Sequence, residues 1–294
     1  SDQQDITLAE FVALNQIEEV FWHGAVMPVL YTICTCDEKS IGEWPAKPLL
    51  VFLRQLTDGD ALLRLQGGTP AFVDKLLGDI ELRSGVAVSK VEEQGEQILV
   101  ENAKGESELF DRVVIATPTH KIDQFLNNQQ FADDLALLKQ FKFVDGELVI
   151  HTDPVVMPVN RKDWCVLSYM MDRKFTKQHF TVWLNSIEPS LVGKSPVFQT
   201  WKPVVDIDPK KIISKVKLTR AVVDTKTLML SQELQRRHQQ ANRKVFYCGS
   251  WSCEGLPILE SAVTSAMQIG EVFNAPLPFV GLKPTVEVAP ELGY

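Results

Sequence analysis

The chain has 294 residues, 45% hydrophobic and 23% charged, with 30 Lys plus Arg against 38 Asp plus Glu and a net charge of −8. At about 100–200 residues per domain this is one large domain or two ordinary ones, with enough apolar residues for a sizeable core. The balance excludes disorder, collagen and a disulfide scaffold, and the lack of a Lys/Arg block argues against nucleic acid as a partner.

No apolar run approaches the roughly 18 residues of a membrane span, so no integral membrane segment is expected, and no signal-peptide pattern opens the chain. Five cysteines, an odd number, predict free thiols and a cytoplasmic location. The chain opens on a short polar lead and then a helix, which predicts the back part of a longer protein.

Thr7-Leu8-Ala9-Glu10 fits a capping box, with Ile6 and Phe11 at the positions of a hydrophobic staple. Leu8, Phe11, Val12, Val20 and Phe21 give helices burying one face, and Pro48–Gln55 predicts a further helix. Gly67-Gly68-Thr69-Pro70 breaks the pattern and opens a short helix bearing Phe72, Val73, Leu76 and Leu77. Short β-type runs follow at Glu81–Arg83, Val86–Val91, Gln97–Glu101 and Leu109–Phe110, with a hairpin turn at Ala103-Lys104-Gly105. Arg112–Ala116 reads as an apolar strand covered on both faces and stopped by Thr117-Pro118.

Beyond this, strands are expected at Glu147–His151, Trp164–Met170, His179–Asn185 and Val197–Trp201, and helices at Asp133–Phe141 and Leu228–Ala241. Lys244–Cys248 is a second short apolar strand, followed by Gly249, a loop and a helix from Ile258 to Phe273. The prolines at 276, 278, 284 and 290 predict an extended tail over 275–294.

The strand–Gly249–loop–helix unit is the most informative stretch, because the free amides at a helix start suit anionic or electron-rich ligand atoms. Ser261, Ala262, Ser265, Ala266 and Gly270 recur at spacing four and predict a small helix face able to approach a sheet or a ligand. Tight helix–sheet packing explains the same pattern equally well.

The segments Gly67–Val73, Val88–Val91, Phe110–Pro118 and Phe246–Val263 occur in the order found in the flavin-containing amine oxidase superfamily, which includes phytoene desaturases and protoporphyrinogen oxidases. His151–Pro158, Val182–Asn185 and Val197–Pro203 resemble its bacterial branch of NAD/FAD-binding oxidoreductases, and the resemblance runs from about residue 6 to 274. It implies non-covalent FAD and hydride transfer from a small-molecule or lipid-like substrate to flavin N5. It also implies positions. Val88 would touch the adenine end, and Ala116, Thr117 and Pro118 would end a strand beside the dinucleotide. Gly249 and Ser250 would lie near the pyrophosphate and ribityl, and the Leu259 amide near the flavin pyrimidine edge.

The departures limit this. No G-x-G-x-x-G occurs in the chain, nor the acidic residue that follows it in dinucleotide folds, which the superfamily carries in an N-terminal βαβ unit. Ser250 replaces an acidic residue, Ile258 stands where amine oxidases have an aromatic facing the flavin, and no lysine around Gly146-Glu147 matches the one that faces flavin N5 in amine oxidases. Carbon–carbon desaturation or a related hydride abstraction is therefore as compatible as amine oxidation, and no catalytic acid or base is assigned.

Other constellations are weaker. Cys34-x-Cys36 with His23 lacks metal-site spacing, so no metal is expected. Cys248 and Cys253 read as packing residues, and Gly249-Ser-Trp-Ser-Cys is not a hydrolase elbow. His120 reads as a solvated loop residue or a cleft residue, and Trp164, Tyr169, Trp183 and Trp201 as core or as a substrate pocket.

The expected fold class is α/β with mixed α+β parts: an incomplete, doubly wound FAD-binding domain (67–118 and 244–274) interleaved with a mixed-sheet-plus-helices substrate domain (1–66 and 119–243). The alternative reading is a non-catalytic binding or scaffold module that holds no FAD. Its exposed sheet edge would pair with another chain or a second copy of itself.

Overall fold

A computed structural model describes residues 6–57, 65, 67–78 and 80–275. All but Ala275 of the expected tail, and the boundary at residue 66, lie outside the described residues.

Helices come first. Thr7 caps α1 (Leu8–Leu14): its Oγ1 accepts the Glu10 amide at 3.2 Å, and the Glu10 carboxylate accepts the Thr7 amide at 2.8 Å, which is the expected capping box. α2 (Glu19–Phe21) runs through a π-helical turn, Trp22–Val26, into α3 (Met27–Cys34). Pro28 sits in the first turn of α3, directly after the π-helical turn. α4 (Glu38–Gly42), α5 (Ala46–Thr57) and α6 (Gly68–Leu77) complete the helical portion.

The chain continues through β1 (Val88–Gln94), β2 (Gln97–Asn102), β3 (Ser107–Phe110), β4 (Val113–Ile115), α7 (Thr119–Ile122), α8 (Ala132–Leu138) and β5 (Lys142–His151). It ends with β6 (Leu167–Met171), β7 (Gln178–Trp183), β8 (Phe198–Trp201), β9 (Ile212–Val222), α9 (Thr227–His238), β10 (Val245–Tyr247) and α10 (Leu259–Val272). The fold class is α/β as expected.

Three sheets form among the described residues: an antiparallel β1-β2-β3 meander, a parallel β10-β4 pair, and an antiparallel five-stranded sheet in the order β6-β7-β8-β5-β9. Two differences from expectation stand out. Glu81–Arg83 forms no strand, and its Glu81–Arg83 ion pair at 2.7 Å lies in irregular chain. β9 was not expected, because Ser214 and Arg220 flank Val216 and Leu218 and cut the apolar row on that face to two residues; it is an edge strand exposed over most of its length.

The five-stranded sheet has two faces. One carries Phe180, Trp201 and Val222 and packs on α1 and α3–α5 through Leu30, Tyr31, Ile41, Trp44 and Leu49, forming the first core. On the other, a buried polar row crosses the strands. His151 Nε2 and Thr200 Oγ1 are 2.9 Å apart, Thr200 and Thr181 hydroxyls 2.8 Å apart, and the Val204 amide donates to His179 Nδ1 at 3.0 Å. A second core joins the β1-β2 sheet, the parallel pair and α7–α9 through Val91, Ile98, Ile115, Leu138, Leu234 and Tyr247.

Within that core, Asp134 accepts from Arg237, Arg243 and the Tyr247 hydroxyl. The Tyr247 amide on the outer edge of β10 donates to buried His238 Nε2 at 3.2 Å, so a side chain occupies the place of a further strand. β4 differs from expectation. Ile115 is buried, but Val114 stands 42% exposed, since nothing among the described residues covers that face.

Candidate functional site

The parallel pairing decides where the predicted positions meet. The Val113 amide donates to the Lys244 carbonyl at 2.8 Å, and the Cys248 amide donates to the Ile115 carbonyl at 3.0 Å. The carboxyl ends of β4 and β10 therefore lie level, bringing Ala116-Thr117-Pro118 beside Cys248-Gly249-Ser250. Ligand crevices in α/β sheets form outside such strand ends.

Gly249 is required there. Its φ is 144°, and a Cβ would stand 2.7 Å from Trp251 Nε1. The Gly249 amide donates to Ser265 Oγ at 3.0 Å, which fastens the second turn of α10 to the end of β10. Ser252 returns both its amide (3.1 Å) and its hydroxyl (2.9 Å) to the Gly249 carbonyl, closing a turn.

The small helix face separates into two rows. Ser261, Ser265 and Ile269 are buried against the sheet, while Ala266 is exposed. At the head of α10, Ile258 is the N-cap in extended conformation (φ −109°, ψ 179°), and its aliphatic side chain caps nothing. Ile258 packs instead against the first core, and Leu259 is 61% exposed. The first-turn amides of α10 are thus left for another acceptor.

Val88 is the first residue of β1, opposite Asn102 and exposed. No hydrogen bond or ring contact among the described residues links it to 116–118 or 249–259. Trp251 and the Ser265 hydroxyl were not foreseen as part of the site; Ser265 was visible only as a small residue.

The other constellations resolve. His120 stacks edge-on against Phe143 at 4.9 Å just after Pro118 and is exposed. Cys248 and Cys253 are buried, and burial pushes both thiols up. Burial likewise raises Cys34, and raises Cys36 to about 12; among the described residues no group of three or more His, Cys, Asp or Glu could hold a metal ion. The aromatics do not converge. Trp164 and Trp183 pack edge-to-face at 5.4 Å on one side of the five-stranded sheet, whereas Tyr169 and Trp201 lie on the other. Three described clefts lie elsewhere, among them a polar one of about 500 Å³ beside Arg236 and Arg243.

The level strand ends, Gly249 and the first turn of α10 without a side-chain cap are the groups a dinucleotide's phosphate and ring edge would meet; the glycine-rich phosphate fingerprint is not in the sequence. No family model and no curated protein matches the chain. Solved structures do. A candidate protoporphyrinogen oxidase from Exiguobacterium sp. 255-15 aligns at TM-score 0.58 and 13% identity over 93% of this chain and 67% of that one. The likeness is one of fold. A fatty acid isomerase from P. acnes that produces CLA aligns at 0.59 and 13% identity (92% and 67% covered), and reduced UDP-galactopyranose mutase at 0.57 and 12% (93% and 69%).

Proposed function

We propose that the chain is part of a FAD-dependent oxidoreductase that takes a hydride from a small or lipid-like substrate. The observation that carries this is the level ending of β4 and β10, tied through Gly249 and Ser265 to α10, whose first turn has no side-chain cap; such strand ends and helix starts suit a dinucleotide. The fold likeness supports it. FAD, when bound, supplies the two-electron acceptor.

In this reading Val88 meets the adenine end, Ala116, Thr117 and Pro118 flank the dinucleotide, and Gly249 and Ser250 approach the pyrophosphate and ribityl. Ile258 and the Leu259 amide meet the flavin edge, where the α10 terminus stabilises negative charge. Residues 67–118 and 244–274 belong to the cofactor domain, and 1–66 and 119–243 to the substrate domain. The protein orients the substrate and keeps water out. The five cysteines are all free thiols, which suits a cytoplasmic setting. No described helix is long and apolar enough to cross a membrane.

The edge of β4 left unpaired by a strand among the described residues favours a second reading, a binding module that pairs with another chain. One experiment separates them. The purified chain is incubated with FAD, desalted, and scanned for the visible flavin band. Retained flavin that is lost on Gly249→Ala is the expected result; a colourless chain overturns FAD binding by this polypeptide.

A further inference from the structure

On the face of the five-stranded sheet turned away from α1 and α3–α5, the segment after β5 and Pro196 enclose a cleft of about 710 Å³. That volume suits a small molecule, since ligand pockets run from about 300 to 1,000 Å³. Its walls are stiff, because Pro154, Pro158 and Pro196 line it with backbones fixed by their rings. Trp164 is held as firmly. Its Nε1 donates to the Pro158 carbonyl at 2.8 Å, and its ring packs edge-to-face on Trp183 and on Phe198, both at 5.4 Å. The indole therefore keeps one orientation and offers a ligand ring surface rather than an N–H.

Two ionisable side chains line the cleft, and only one has charge to spare. Asp153 is buried, and its carboxylate accepts the Val155 and Asp208 amides at 3.3 and 2.9 Å and the Lys211 ammonium at 3.1 Å. Arg161 has no carboxylate partner among the described residues; its guanidinium lies over the Trp164 ring, 5.2 Å from the centroid. A stacked guanidinium keeps its fork of donors for a planar anion.

We propose that this cleft binds an amphipathic monocarboxylate, its apolar body against Trp164 and the prolines and its carboxylate on Arg161. The sheet stands between the cleft and the head of α10. Leu256 and Ile258 pack with Trp201 on one face, whereas Met157 and Trp164 pack with Phe198 on the other. The proposal therefore does not rest on the flavoprotein assignment. A small molecule fits better than a protein partner, since the apolar rim amounts to half-exposed Val155 and fully exposed Val159. Two such side chains fall far short of the roughly 800 Å² per partner of a stable interface.

The test uses two fluorescent probes of one ring system, 1-anilinonaphthalene-8-sulfonate and neutral N-phenyl-1-naphthylamine, titrated into the full chain. The sulfonate should bind saturably and about tenfold more tightly than the neutral probe. 1-Naphthoate should displace it, and 1-naphthalenemethanol should not. Arg161→Gln should bring the sulfonate down to the affinity of the neutral probe and leave the neutral probe unchanged. Trp164→Leu should weaken both, and Arg236→Gln, in the polar cleft, neither. Equal affinity of the two probes, a preference that survives Arg161→Gln, or binding unchanged by Trp164→Leu overturns the proposal. So does displacement of the sulfonate by excess FAD, or a dimer in sedimentation that Val159→Lys dissociates.

Discussion

At the scale of single residues, the strongest constraints come from two glycines and two histidines. Gly249→Ala places a side chain at φ 144° and against the Trp251 indole, so a loss of about 1–3 kcal/mol is expected in denaturant unfolding. Gly146→Ala meets Trp201 in the same way; overpacking of about 1–3 kcal/mol should be relieved when Trp201→Leu is added, and a purely additive double mutant would refute the contact. His179 and His238 are buried, and desolvation lowers each to about 4 from an ordinary value of 6.5. The unfolded chain therefore binds these protons first. Their contribution to stability should fall as pH drops from about 6.5 to about 4, by about 3–4 kcal/mol for each histidine at ~1.4 per unit, and their own effect levels off below. Thermal melts across that window check it: His179→Gln should lose roughly half of the pH dependence, and a flat profile in the unsubstituted chain would overturn it. Gly249 was legible as a turn residue, but its bond to Ser265 was not, since a contact sixteen residues apart leaves no periodic signal.

At the scale of elements, local patterns carried furthest where a cap or a glycine marks the boundary. The Thr7–Glu10 box formed as read, and Thr7→Ala should cost about 1 kcal/mol by denaturant titration. β10 and α10 lie within a residue or so of expectation because Gly249 and Ile258 punctuate them. β9 escaped because Ser214 and Arg220 flank Val216 and Leu218 and cut that row to two apolar residues, while Lys215 and Lys217 stand on the opposite face. The parallel pairing was equally invisible; it is imposed by the second core, where Asp134 joins α8, α9 and β10. Asp134→Ala leaves Arg237 and Arg243 without that carboxylate, and a loss of about 3–5 kcal/mol is expected, with near-native stability the outcome that would contradict the network.

At the scale of the molecule, the chain shares the fold of proteins whose sequences it matches at only 12–13%, over 67–69% of their length. Motif order made that fold readable where composition could not, because a short apolar strand, a glycine and a helix start each leave a local mark in the sequence. The division of the aromatics between two sheet faces was not readable, since it depends on which strands pair.

One consequence of the His238 edge extends to how the molecule fails. The ring accepts the Tyr247 amide only while Nε2 is unprotonated, and burial and Arg243 keep it so while Asp134 opposes them. Acidification below about pH 4 turns that acceptor into a donor and strips the outer edge of β10 of its guard. Self-association at acid pH should then begin at this edge, with light scattering rising as the ring gains its proton and with a His238→Gln variant scattering less. A solubility limit of the whole protein would thus be set by one fully buried imidazole.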